Sequence, residues 1–189
     1  MLPDGKLYVP GAEKTLPNLS RLVDAARQGR VLLVSDACRH TPDDPEFKTF
    51  PPHCIRGTAG AAVVDEGLAR DVLTVPNEPG FKLPDDLLNH QQVLIEKQTL
   101  DVFDNPLTSQ IVDLLGPEPE FFVFGVVTEY CVRLAAKGLL ERKRKVSIVK
   151  DAIETLNADH GRHAVEELRS LGAKIVTTDE ALAALSARS

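Results

Sequence analysis

FFVFGVVTEYCVRLAAKGLL, residues 121–140, begins as a run of β-formers, passes through Gly-Val-Val-Thr-Glu-Tyr, and continues as a helical pattern whose start carries Cys131. A strand that turns directly into a helix is half of a βαβ unit, and the same rhythm recurs along the chain. Strands are predicted at Val31–Ser35, near Val72–Val75, and at Gln92–Lys97, Phe121–Val126, Val146–Lys150 and Lys174–Thr177. Helical periodicity falls at Glu13–Gln28, Ser109–Leu115, Tyr130–Arg142, Ala158–Leu171 and Glu180–Leu185. The strands are near-continuous apolar runs, which suits a parallel sheet covered on both faces. The predicted fold class is therefore α/β, a three-layer α-β-α arrangement around a mostly parallel, Rossmann-like sheet. One feature runs against it. The turn-rich opening MLPDGKLYVPGAE leads into a helix with no strand before it, so the first strand of such a sheet is expected to be missing.

With 189 residues, 43% of them hydrophobic, and no break in composition, the chain is large enough to bury one core and is expected to form a single domain over residues 1–189. A net charge of −6 argues against nucleic acid or an anionic membrane as partner. The densest basic run, Arg142 to Lys145, suits a helix C-terminus. No apolar stretch approaches the roughly 20 residues needed to span a bilayer, and no basic segment followed by an apolar one opens the chain. A cytoplasmic location is expected. Three cysteines, Cys38, Cys54 and Cys131, make no disulfide framework, so each is packing, ligand or nucleophile.

Sites in parallel α/β sheets lie beyond the carboxyl ends of the strands. Asp36, Lys97, the segment Thr128–Cys131 and Asp151 stand at those ends. A cysteine in the first turn of a helix meets unpaired backbone N–H groups and the positive end of the dipole, both of which favour a thiolate nucleophile; a buried structural cysteine is the bland alternative. Lys97, taken alone, reads as a solvated strand-end lysine. Together they make a thiolate with a cation on a neighbouring strand. Two long Pro- and Gly-rich stretches, Cys38 to Gly60 and Pro76 to Pro84, lack secondary-structure signal, and the first is dense in potential metal ligands.

GVVTEYCV resembles the G-x-x-T-x-x-C-V signature of the isochorismatase-like cysteine hydrolases. FPPHCIRGTAGA is similar to the W-P-P-H-C-x-x-G-T-x-G segment of their nicotinamidase branch, and IEKQTLDVF resembles the strand bearing the catalytic lysine. The resemblance implies an amidohydrolase that converts nicotinamide to nicotinate and ammonia through a cysteine thioester. Cys131 would be the nucleophile, Lys97 its catalytic partner, and the backbone of Val127, Thr128 and Cys131 the oxyanion hole, with a cis peptide at Val127–Thr128. The branch also implies a divalent metal. Asp36 matches the first ligand of a D-x-H element, His53 matches a histidine ligand, and Glu46 lies where some relatives carry an acidic one. Cys38 replaces the histidine of D-x-H, which favours zinc over manganese or iron, and His40 is a substitute if the loop bends. Cys54 is expected to point away from the metal. Phe103 and Tyr130 are candidates to enclose a planar amide, with core packing as the alternative for each.

The family's catalytic aspartate ends a first strand of the type D-x-Q-x-D-F, and both are expected to be absent here: Asp4 lies in a turn and Asp36 is expected at the metal. Either the start of the chain is misassigned or this is a degraded copy. The alternatives to a nicotinamidase are therefore another small-amide or ureido hydrolase of the superfamily, or an impaired homologue. The expected partner is a small amide, and self-association into a homo-oligomer follows from the resemblance.

Overall fold

A computed structural model describes residues 1–186. Its six strands are β1 (Leu33–Cys38), β2 (Val72–Val75), β3 (Gln92–Lys97), β4 (Glu120–Val126), β5 (Lys145–Glu154) and β6 (Lys174–Val176), and its five α-helices are α1 (Leu16–Arg27), α2 (Pro106–Leu114), α3 (Arg133–Glu141), α4 (Ala158–Ser170) and α5 (Thr178–Ser186). All pairings within the sheets are parallel.

The layers follow from the alternation along β5. Val146 and Ile148 pack against Val112 of α2, Ala136 and Leu139 of α3 and Leu168 of α4. On the opposite face Val149 and Ala152 meet Leu22 of α1 and Ala181 of α5. A third cluster joins Val93 and Ile95 of β3 and Val75 of β2 to Leu107 and Ile111 of α2. This is the expected α/β architecture with helices on both faces.

In place of one continuous sheet there are two of three strands, ordered β1-β3-β2 and β4-β5-β6. β1 and β4 are edge strands, and both line a cavity of about 300 Å³ that runs from Leu33 and Phe121 to Asp36 and Cys131. Two facing rows of backbone groups without a ladder are a liability in any sheet.

Several boundaries move from their predicted positions for local reasons. β1 starts later than Val31 and runs on to Cys38, because pairing with β3 continues to Lys97. α2 starts at Pro106, since Asn105 accepts from the Leu107 N–H and proline suits the first helical position. β5 extends to Glu154 after a register shift opposite Val123 and Gly125. That extension places Asp151 inside the strand, where its carboxylate accepts from the Thr178 N–H at 2.8 Å and hydroxyl at 2.9 Å. Asp151 therefore caps α5 and stands at no strand-end site.

Candidate active site

The turn that carries the cysteine is built by the end of β4. Gly125 has φ 118°, a conformation that L side chains rarely adopt, so the strand bends there at a residue without a Cβ. The cis peptide joins Val126 and Val127, one residue earlier than expected. Val127 is extended and Thr128 already begins a single π-helical turn, Thr128–Val132, that runs into α3, so the reversal has to fall before Val127. The Val127 carbonyl accepts from the N–H groups of Tyr130 at 3.1 Å and Val132 at 3.2 Å. Cys131 thus sits in the opening turn of a continuous helical run, next to the cavity.

Two side chains hold this turn down. The Thr128 hydroxyl donates to the Glu154 carbonyl at 2.7 Å. Buried Glu129 accepts from the Thr155 hydroxyl at 2.6 Å and from the N–H groups of Leu156 at 3.0 Å and Asn157 at 2.9 Å. Burial works against its charge, but the Thr155 hydroxyl and backbone donors outweigh it and keep its pKa below the usual carboxylate value. The sequence pointed at the threonine and missed the glutamate, because an acid in a first helical turn reads as a dipole partner.

β3 delivers the lysine. Lys97 is buried, and its ammonium donates to the carbonyls of Thr99 and Leu100, each at 3.1 Å, and to Cys131 Sγ at 3.2 Å. Its counter-ion is Asp36, 3.3 Å away. Burial opposes the charge on Lys97, but Asp36 first and then Cys131 and Cys38 raise its pKa, so the group stays an ammonium. Cys131 and Lys97 come together as the sequence reading expected. Asp36 was expected on the metal and lies instead against the lysine.

The candidate metal ligands form a second cluster. An isolated parallel bridge between His40 and Ile55 lays the PPHC segment beside the end of β1: His40 N–H donates to the Cys54 carbonyl at 3.0 Å, and Arg56 N–H to the His40 carbonyl at 2.9 Å. Ligand atoms of Cys38, His40 and His53 lie within 4.8 Å of one another, as do those of His40, Asp44 and Glu46. Asp36 and Cys54 are in neither group. Asp44 and the Pro51 carbonyl hold the Nδ1 atoms of His40 and His53, at 3.0 and 2.9 Å. Such outer partners orient a histidine for ligation through Nε2. His40 Nε2 and Glu46 Oε2 are buried without a hydrogen-bond partner and stand 3.8 Å apart. A cation between them would satisfy both atoms, and the thiol and two imidazoles of the Cys38, His40 and His53 group are donors of the kind that suit zinc. Burial pushes the Cys38 thiol up to about 12 despite nearby Lys97, so it is a thiol until a cation takes the proton's place. Of these residues the sequence reading missed Asp44, whose role depends on the fold of an irregular loop.

The two candidates for enclosing substrate separate. Phe103 borders the cavity that reaches Cys131, but its ring also packs in the core, against Gly138 and under the Arg142 guanidinium at 3.9 Å. Tyr130 lines a different depression, beside Arg133, His160 and His163 of the α3–α4 side.

Among the described residues no helix is long and apolar enough to cross a membrane. Residues 1–180 match the family model described as the isochorismatase domain. The structure is similar to the pyrazinamidase of Pyrococcus horikoshii solved in complex with zinc, at 26% identity and a TM-score of 0.72, over 93% of this chain and 92% of that one. It is similar in fold to an N-carbamoylsarcosine amidase from Thermoplasma acidophilum (22%, 0.71, covering 94% and 90%). A nicotinamidase/pyrazinamidase from Bacillus subtilis shares that fold too (19%, 0.71, covering 93% and 92%). Curated protein sequences give no match.

Proposed function

This chain belongs to the isochorismatase family, and from that premise we propose that it is a nicotinamidase-like amidohydrolase using Cys131 as nucleophile beside a zinc site. The observation that carries the reading is Lys97 Nζ at 3.2 Å from Cys131 Sγ, with the Cys38, His40 and His53 donor group at the end of the neighbouring strand. A cation fixed on a thiolate favours the charged nucleophile.

Cys131 attacks the carboxamide carbon, forming a C–S bond. The oxygen of the tetrahedral intermediate then lies against backbone N–H groups of the Val127–Cys131 turn. As the C–N bond breaks, the nitrogen takes up the proton that Cys131 gave up on becoming a thiolate and leaves as ammonia, and a thioester remains. Water cleaves that thioester to the carboxylic acid and the free thiol. Lys97, held as an ammonium, stabilises the sulfur in both half-reactions. Cys38, His40, His53 and Glu46 would hold the metal, which supplies an electrophilic anchor for the ring nitrogen of a pyridine carboxamide. The pyrazinamidase bound to zinc supports this choice of substrate class. An amide or ureido hydrolase working without metal is the alternative, and the unpartnered His40–Glu46 pair weighs against it.

The experiment is ammonia release from nicotinamide by the purified protein supplied with zinc, manganese or iron. Turnover that disappears in Cys131→Ala is expected; no ammonia with any of the three metals overturns the reading.

A further inference from the structure

We propose that Asp36 is the residue that positions Lys97 against Cys131, and that the metal is bound without it. This rests on the reading of Cys131 as the nucleophile. In the β1–β3 register Asp36 pairs with Ile95 and Cys38 with Lys97, so Asp36, Cys38 and Lys97 share one face of the sheet. From that face Asp36 reaches Lys97 and Cys38 reaches the histidines. Two residues apart on one strand, they serve two adjacent sites.

The ammonium needs a counter-ion. Lys97 is 1% exposed, and a buried charge is tolerated only when it is paired and hydrogen-bonded. Its contacts to Thr99 and Leu100 are neutral carbonyls. Among the described residues Asp36 is the one carboxylate within ion-pair distance of Nζ. The metal has no comparable need of Asp36: Cys38, His40 and His53 form a three-donor group without it, the number of protein ligands a catalytic zinc site takes, and Glu46 lies with His40 in a second group. The two buried atoms left without partners, His40 Nε2 and Glu46 Oε2, both belong to that set.

Asp36 acts through Lys97. Its carboxylate balances the charge 3.3 Å from Nζ while the ammonium donates to the Thr99 and Leu100 carbonyls and to the Cys131 sulfur, so the cation is held where one N–H meets the sulfur. Without that counter-ion the buried ammonium has no balancing charge, and the Cys131 sulfur loses a cation fixed beside it.

Asp36→Asn and Asp36→Glu test this in the full chain, with two readouts that need no substrate. Each protein is incubated with one equivalent of zinc, desalted and assayed for bound zinc. The rate of Cys131 alkylation by iodoacetamide, in which an S–C bond forms and iodide leaves, is then followed by mass spectrometry. Asp36→Asn is expected to retain wild-type zinc and to be alkylated at Cys131 at least tenfold more slowly, with Asp36→Glu recovering much of that rate. With the amide substrate, kcat falls while KM changes little. Loss of zinc from Asp36→Asn overturns the proposal and makes Asp36 a ligand; wild-type zinc together with a wild-type alkylation rate overturns it as well. If Asp36→Asn does not fold, Asp36→Glu decides by the same pair: retained zinc with at least half the alkylation rate supports the proposal, and lost zinc overturns it. Should the wild type release no ammonia, the functional reading fails while zinc content and alkylation still decide the role of Asp36.

Discussion

His40 Nε2 and Glu46 Oε2 face each other at 3.8 Å, both buried and both without a hydrogen-bond partner. A buried donor or acceptor left unpaired costs about 1–3 kcal/mol, and here two lie side by side, with the Phe47 ring against that of His40. A metal turns that cost into bonding. The protein is expected to bind about one zinc per chain. Chelation should lower its melting temperature, by the equivalent of about 2.7 kcal/mol when free zinc stands about 100-fold above Kd. His40→Ala and Glu46→Gln should each reduce zinc content, measured by elemental mass spectrometry, and shrink the chelator-induced shift.

Glu129 ties the Cys131 turn to the residues that follow β5, through Thr155, Leu156 and Asn157. Glu129→Ala leaves those donors without their acceptor and should destabilise the fold by about 2–4 kcal/mol, read from urea unfolding. The wild type adds a pH test. The folded pKa of Glu129 lies below its ordinary 4.5, so its contribution is complete above about 4.5 and is lost as pH falls through the lowered value. The difference in stability between wild type and Glu129→Gln should therefore shrink in that acid window and stay constant above it.

Gly138 of α3 lies under the Phe103 ring so closely that a Cβ there would overlap it. Gly138→Ala is expected to cost about 1–3 kcal/mol in thermal or denaturant unfolding, although alanine is the better helix former. Since Phe103 borders the cavity reaching Cys131, the displaced ring should also raise KM for the amide.

Asp151 stands where the sequence suggested a strand-end functional acid, yet its carboxylate caps α5. Asp151→Ala should cost about 1 kcal/mol of stability, as loss of a helix cap does, and leave ammonia release and zinc content unchanged.

The order of strands and helices, the parallel sheets and the meeting of Cys131 with Lys97 were legible in the sequence. Each depends on short-range pattern: an apolar run, a helical period and a reactive residue where one passes into the other. The turn Thr128–Cys131 at the end of β4 was readable for the same reason, since local sequence builds it. What only the tertiary structure decided depends on which segments lie side by side. The bridge from His40 to Ile55 brings His40 into the ligand cluster, and no periodicity announces a bridge between two loops. The β1–β3 register sets Asp36 on Lys97 and leaves Cys38 for the histidines. The extra length of β5 takes Asp151 away from a strand end and gives it to α5. The division into two sheets with β1 and β4 facing one cavity has the same origin. Local pattern fixes what each segment becomes, whereas the partner of a buried charge is fixed by register and loop path, and those are settled when the whole core packs.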